Sequence, residues 1–239
     1  MSQEIRRSAE RGHAQHGWLD SHHSFSFASY YDPRHIQFGP LRVINEDRVQ
    51  PGTGFDEHGH RDMEIISYIL SGELAHKDSL GLGNGSVIRP GDVQRMSAGT
   101  GVRHSEFNPS DSQPVHFLQI WIQPHTQGVA PDYEQRHFDT QSRRARLCRI
   151  VDGQGRDAAL RIQQDASVYA GLFEAGEDFE LPLPAGRQAY VHLVRGSLQV
   201  NGVELHTGDA LKLRHVDAVR LRDARQAEVL VFDLPDTGA

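Results

Sequence analysis

At 239 residues, with 37% hydrophobic and 24% charged residues, the chain is long enough for one large domain or two small ones with ample core. A formal net charge of −7 argues against general affinity for nucleic acid or an anionic membrane. Cys148 is the only cysteine, which excludes an intrachain disulfide and fits a reducing compartment. The N-terminal stretch MSQEIRRSAERGHAQHGW is charged and has no apolar centre, so no secretory signal is visible. No apolar run is long enough to span a bilayer. The expectation is a soluble, cytoplasmic protein.

Runs with strand character are, in chain order, LRVINE (41–46), EIISYIL (64–70), HFLQIWI (116–122), YVHLVRG (190–196), SLQVNG (197–202) and VLVFDL (229–234). Val, Ile, Leu and aromatic residues dominate them, and several alternate apolar with polar. Pro124, Gly128 and Pro131 break the segment after 122 into a loop. Brief helical pieces are expected within 132–147 and 156–166. The basic stretch RRARLCR (143–149) reads as a solvated connection or strand edge. Closely spaced strands without long helices between them predict an all-β fold, a sandwich or a barrel.

The chain also repeats itself. GTGFDEHGHRDMEIISYILSG (52–72) lies on GEDFELPLPAGRQAYVHLVRG (176–196) without a gap, matching Gly52 to Gly176, Phe55 to Phe179 and Gly72 to Gly196. Further on, PGD (90–92) corresponds to TGD (207–209). Matching glycines mark matching turns, and a duplicated β-barrel accounts for both the length and the strand pattern. The expected boundaries are 1–138 and 139–239. The histidines were not duplicated: His58 and His60 fall opposite Pro182 and Pro184, Glu64 falls opposite Gln188, and only His192, His206 and His215 lie beyond residue 140. A metal site, if present, belongs to the first half alone.

On a strand, residues i and i+2 share a face, so His58 and His60 can reach a single ion. Glu64, four residues after His60, is expected on that face too. In SAGTGVRHSEFNPS (97–110), His104 and Glu106 repeat the spacing after a glycine-rich turn at Gly99 and Gly101. Two such pairs on neighbouring strands bring three imidazoles and a carboxylate to one point. That donor set suits non-haem Fe(II), with Mn, Ni, Co, Cu or Zn as alternatives. His22 and His23 are adjacent and must face opposite ways, so one of them at most supports the site. His76 and His116 are weaker candidates for the cavity lining, and Cys148 has no identifiable partner for nucleophilic chemistry.

GFDEHGHRDME followed by SAGTGVRHSEFN resembles the two motifs of the cupin superfamily, with one extra residue before Gly72 and two before His104. GHAQHGWLDSHHSFSFASYYDP (12–33), HGHRDMEIISYILSGELAHKDSLG (58–81) and MSAGTGVRHSEFNPS (96–110) resemble the pirin family, most closely its bacterial quercetinase-like branch. The resemblance implies a bicupin of two tandem jelly-roll-like barrels with metal in the N-terminal one only. It also implies His58, His60, His104 and Glu106 as ligands, with Glu64 unused. By the same resemblance the activity is that of a quercetin 2,3-dioxygenase, cleaving a flavonol with O2 and releasing carbon monoxide. Glu106 is then the residue that accepts the hydroxyl proton, after which the enolate reacts with O2 near C2. Phe25, Phe27, Phe107 and Phe117 are candidates for the wall that holds a flat aromatic substrate, or simply core. The alternative is a pirin-like regulatory protein that binds a protein partner in a metal- or redox-dependent way; isomerase chemistry on a small molecule is a third reading.

Overall fold

The computed structural model describes residues 2–236. In chain order its strands are β1 (Ser2–Arg6), β2 (Gly12–Gln15), β3 (Leu19–His23), β4 (Leu41–Val49), β5 (Gly54–His60), β6 (Glu64–Ser71), β7 (Leu74–Asp78), β8 (Ser86–Ile88), β9 (Asp92–Ser97), β10 (Val102–Phe107), β11 (Val115–Ile122) and β12 (Asp132–His137). A single helical turn, α1 (Thr140–Arg143), precedes β13 (Leu147–Asp152), β14 (Leu160–Arg161), β15 (Ser167–Phe173), β16 (Phe179–Pro182), β17 (Arg187–Val200), β18 (Val203–His206), β19 (Ala210–Arg214) and β20 (Ala218–Pro235). The all-β expectation holds. The helical pieces shrink to α1 and one 3-10 turn at Arg156–Ala158, because 132–137 pairs with β9 as a strand instead. No helix among the described residues is long and apolar enough to cross a membrane.

Two compact units share the chain. Gly12–His137 and Leu160–Gln164 form the first; the residues up to Arg11, Phe138–Ala159 and those from Asp165 onward form the second. The first unit is two facing sheets, one ordered β12-β9-β6-β11-β4-β3-β2 and one ordered β5-β10-β7-β8. Leu19, Val49, Ile69 and Phe117 from the larger sheet pack with Leu74 and Ile88 from the smaller one to form the core between them.

The second unit holds strands in the order β1-β19-β17-β20-β15-β13, with β16 against β20 and β18 against β17. Its long strands β17 and β20 run as one bent ribbon, with register shifts between Leu193 and Gln199. The bend lets Val191, Leu198, Leu211, Val219 and Val231 meet in one apolar core.

The expected pair of jelly-roll barrels is not formed. Among the described residues every sheet is open, its two outermost strands left unpaired with each other. A barrel needs its outermost strands to pair with each other; here burial is completed by side chains meeting between sheets or across a bend. The repeat is nonetheless visible in the backbone. Gly72 (φ +75°) and Gly196 (φ +81°) both turn left-handed, and a side chain at either would strike a neighbouring backbone oxygen, that of Pro114 or Gln226.

Candidate metal centre

Strands β5 and β10 pair antiparallel with His104 directly opposite His58, and His60 follows on the same face of β5. The approach is close: a Cβ on Gly54 would lie 2.3 Å from the Glu106 carbonyl oxygen, so only glycine fits there. A register shift between His104 and Glu106 re-aims β10, and both residues end up buried. One donor atom from each of His58, His60 and His104 lies within 4.8 Å of the other two, and the same holds for His76, His104 and Glu106. A third group, His13, Asp20 and His22, sits on the β2–β3 hairpin and is more exposed.

The arrangement fits a metal. His58 Nδ1 donates to the Asp56 carbonyl oxygen at 2.8 Å, so in the neutral ring Nε2 carries the lone pair. That nitrogen lies 3.1 Å from His104 Nε2, so either His104 donates to it from Nε2 or the two lone pairs face a cation together. His104 Nδ1 is buried without a hydrogen-bond partner among the described residues. Burial, then the neighbouring imidazoles, push His60 down to about 4 and His104 down to about 3. Both rings are therefore neutral and able to ligate at neutral pH. Glu106 accepts from Gln119 Nε2 at 2.7 Å and from Ser67 Oγ at 3.1 Å, which fixes its orientation.

Glu64 is elsewhere. The chain turns at Arg61–Met63, with Asp62 at φ +47°, and β6 joins the opposite sheet. There Glu64 accepts from Ser97 Oγ at 2.6 Å and belongs to none of the donor groups among the described residues.

Beside His58 and Glu106 opens a cavity with an apolar wall of Leu19, Phe27, Phe55 and Trp121. Of the four phenylalanines named from sequence, only Phe27 lies on it, edge-on to Trp121 with centroids 5.4 Å apart. Phe25 and Phe117 are core, and Phe107 is 44% exposed. Trp121 shares the strand face of Gln119 in the alternation of HFLQIWI, which is the sequence signal for its place on the wall. His23 lines the cavity while His22 stacks on His13 at 4.4 Å. His76 packs beside His104, and His116 pairs with Glu46 at 2.9 Å.

Facing the metal cluster, the larger sheet carries a buried polar group. Ser21 and Asp47 are register partners on β3 and β4, and the Ser21 hydroxyl donates to Asp47 Oδ1. Burial pushes the Asp47 carboxyl up to about 7, with the Ser21 hydrogen bond opposing. The folded chain then keeps a proton that the unfolded chain releases between the ordinary carboxylate value and 7. Stability from this group therefore falls as pH rises through that window and levels off above it. Asp47→Asn in chelator-stripped protein is expected to melt higher than wild type at pH 8, by an amount on the order of a few kcal/mol at most. The advantage should shrink toward pH 4. A pH-independent difference between the two melting curves would show that Asp47 ionises normally.

The chain is similar to known proteins over nearly its whole length. The Pirin family profile matches residues 4–122, and the profile described as the quercetinase C-terminal cupin domain matches residues 150–234. A quercetin 2,3-dioxygenase of Escherichia coli K12 is 43% identical over 231 residues, covering 97% of this chain and 98% of its own. The crystal structure of the bacterial pirin YhhW from Escherichia coli in complex with nickel(II) shares 42% identity at a TM-score of 0.93, covering 98% of this chain and 99% of that one. A quercetin 2,3-dioxygenase from Acinetobacter baumannii has the same fold at 22% identity and a TM-score of 0.78, covering 98% of this chain and 86% of that one.

Proposed function

Because the chain belongs to the pirin family, in its quercetin 2,3-dioxygenase-like branch, we propose that it is a metal-dependent dioxygenase that cleaves a flavonol with O2 and releases carbon monoxide. The observation that carries this reading is the meeting of His58, His60 and His104, with Glu106 grouped with His104 and His76, beside an apolar-walled cavity. His58, His60, His104 and Glu106 are the proposed ligands. Fe(II) is the proposed native metal, since nitrogen donors with one carboxylate suit it.

Bound there, the metal supplies Lewis-acid stabilisation of the flavonol 3-oxygen as its anion. Glu106 is the proposed base for the hydroxyl proton, and Gln119 and Ser67 hold its two oxygens in position. Leu19, Phe27, Phe55 and Trp121 hold the flat ring system and keep water from the reacting carbons. Fe(II)-loaded protein given quercetin in air is expected to consume O2 and release CO in step with flavonol loss, and chelator-treated protein to do neither. Flavonol loss without CO would sink the reading.

The second unit is proposed to be metal-free. Pro182 ends β16 where the first unit has its histidine pair, and all three donor groups found among the described residues fall within Gly12–His137. Elemental analysis after dialysis should find one tightly held metal per chain, and an anomalous map should place it beside His58. A second protein-ligated peak among His192, His206 and His215 would contradict this.

A further inference from the structure

The polar group on the cavity wall opposite the histidines has no part in holding a metal. Asp47 is 3% exposed, and its one hydrogen bond among the described residues, from Ser21, engages Oδ1. Oδ2 is left to the cavity that Asp47 lines. His23 Nε2 lies 2.8 Å from Ser21 Oγ. Since the Ser21 hydroxyl gives its hydrogen to Asp47, its oxygen accepts from His23, so the three form a directed chain His23 to Ser21 to Asp47. Two residues back on the same face of β4, Asn45 lines the cavity too, 3% exposed, and its Oδ1 is buried without a partner among the described residues.

A buried acceptor without a donor is costly, and Asn45 Oδ1 is one, beside a carboxylate that lines the same cavity. The missing partner is a donor. A carboxylate oxygen and an amide oxygen call for an O–H group that is carried on something flat enough to pass between Phe27, Phe55 and Trp121. Resting on the dioxygenase reading for what enters the cavity, we propose that Asp47, supported by Ser21 and His23 and flanked by Asn45, is the subsite for a phenolic hydroxyl on a substrate ring other than the oxygen held at the metal. The phenol donates to Asp47 Oδ2, and the subsite selects ring-hydroxylated substrates and sets their orientation toward Glu106.

The test, run at pH 8 where the Asp47 carboxyl is ionised, compares quercetin with 3-hydroxyflavone, which keeps the 3-hydroxyl but has no hydroxyls on its other rings, using Fe(II)-loaded wild type, Asp47→Asn and Ser21→Ala. Asp47→Asn is expected to raise KM for quercetin by roughly tenfold to a hundredfold, the range for a hydrogen bond to a charged group. It should leave kcat/KM for 3-hydroxyflavone and the metal content at the wild-type level, which also reports that the variant is folded. Ser21→Ala should shift quercetin KM in the same direction by less. An equal loss on both flavonols, or no loss on quercetin, overturns the subsite while the dioxygenase reading stands. If wild type neither turns over nor binds either flavonol by anaerobic calorimetry, both fall together, and the wild-type measurement alone reveals it.

Discussion

A His58→Ala, His60→Ala double variant is expected to lose its bound metal and its dioxygenase turnover while remaining folded. Both side chains lie on β5, the outer strand of the smaller sheet, and both are only partly buried. Neither belongs to the apolar cluster that joins the two sheets, which uses Phe55 from that strand instead. Removing them deletes two of the three converging imidazoles, leaving His104 and Glu106 to hold a cation alone. Loss of a residue that merely supports a ligand already costs roughly tenfold to a hundredfold in metal affinity, so loss of two ligands should cost more than that. Elemental analysis should therefore find little metal after dialysis, and turnover should fall to the level of chelator-treated protein. The circular dichroism spectrum and melting transition should stay close to those of metal-free wild type. Retained metal would place the ligands elsewhere; loss of the transition would make the histidines structural.

The histidine pair was legible because the two-residue period of a strand is local: wherever 54–60 is extended, His58 and His60 share a face. The same holds for His104 and Glu106, although the register shift between them is not written in the sequence and fixes how each meets β5 and β7. Features that depend on distant pairing were not legible. YVHLVRG and SLQVNG read as two strands and are one bent strand, because Arg195 and Ser197 bulge against β20 instead of turning away. Whether sheets close on themselves is decided by which edges meet, and no local pattern specifies that. Glu64 shares parity with His60 in sequence, but the left-handed turn at Asp62 carries it into the facing sheet. The cavity wall failed in part for a related reason. Phe117 and Trp121 share parity on β11, yet Phe117 is taken up by the core and Trp121 stands at the cavity.

Glu106→Gln is expected to lower turnover by roughly a hundredfold or more, the range for loss of a general base, while Glu64→Gln costs much less. Both carboxylates are 1% exposed, so burial does not separate them; position does. Glu106 shares a donor group with His104, and its oxygens are held by Gln119 and Ser67. The amide in Glu106→Gln keeps the volume and one acceptor oxygen, and rotation of the Gln119 amide can meet the new N–H2. The variant should therefore fold, with its loss appearing in kcat and not only in KM. Glu64 instead holds Ser97 across β6 and β9, and burial raises its carboxyl above the ordinary value. A glutamine there still accepts from Ser97 and no longer has a charge to bury, so Glu64→Gln should be neutral or mildly stabilising above neutral pH. Measuring kcat, KM and metal content for both variants decides the assignment. If Glu64→Gln is the crippled one and Glu106→Gln turns over normally, the carboxylate that serves the metal lies on β6, and the convergence seen around His104 is packing.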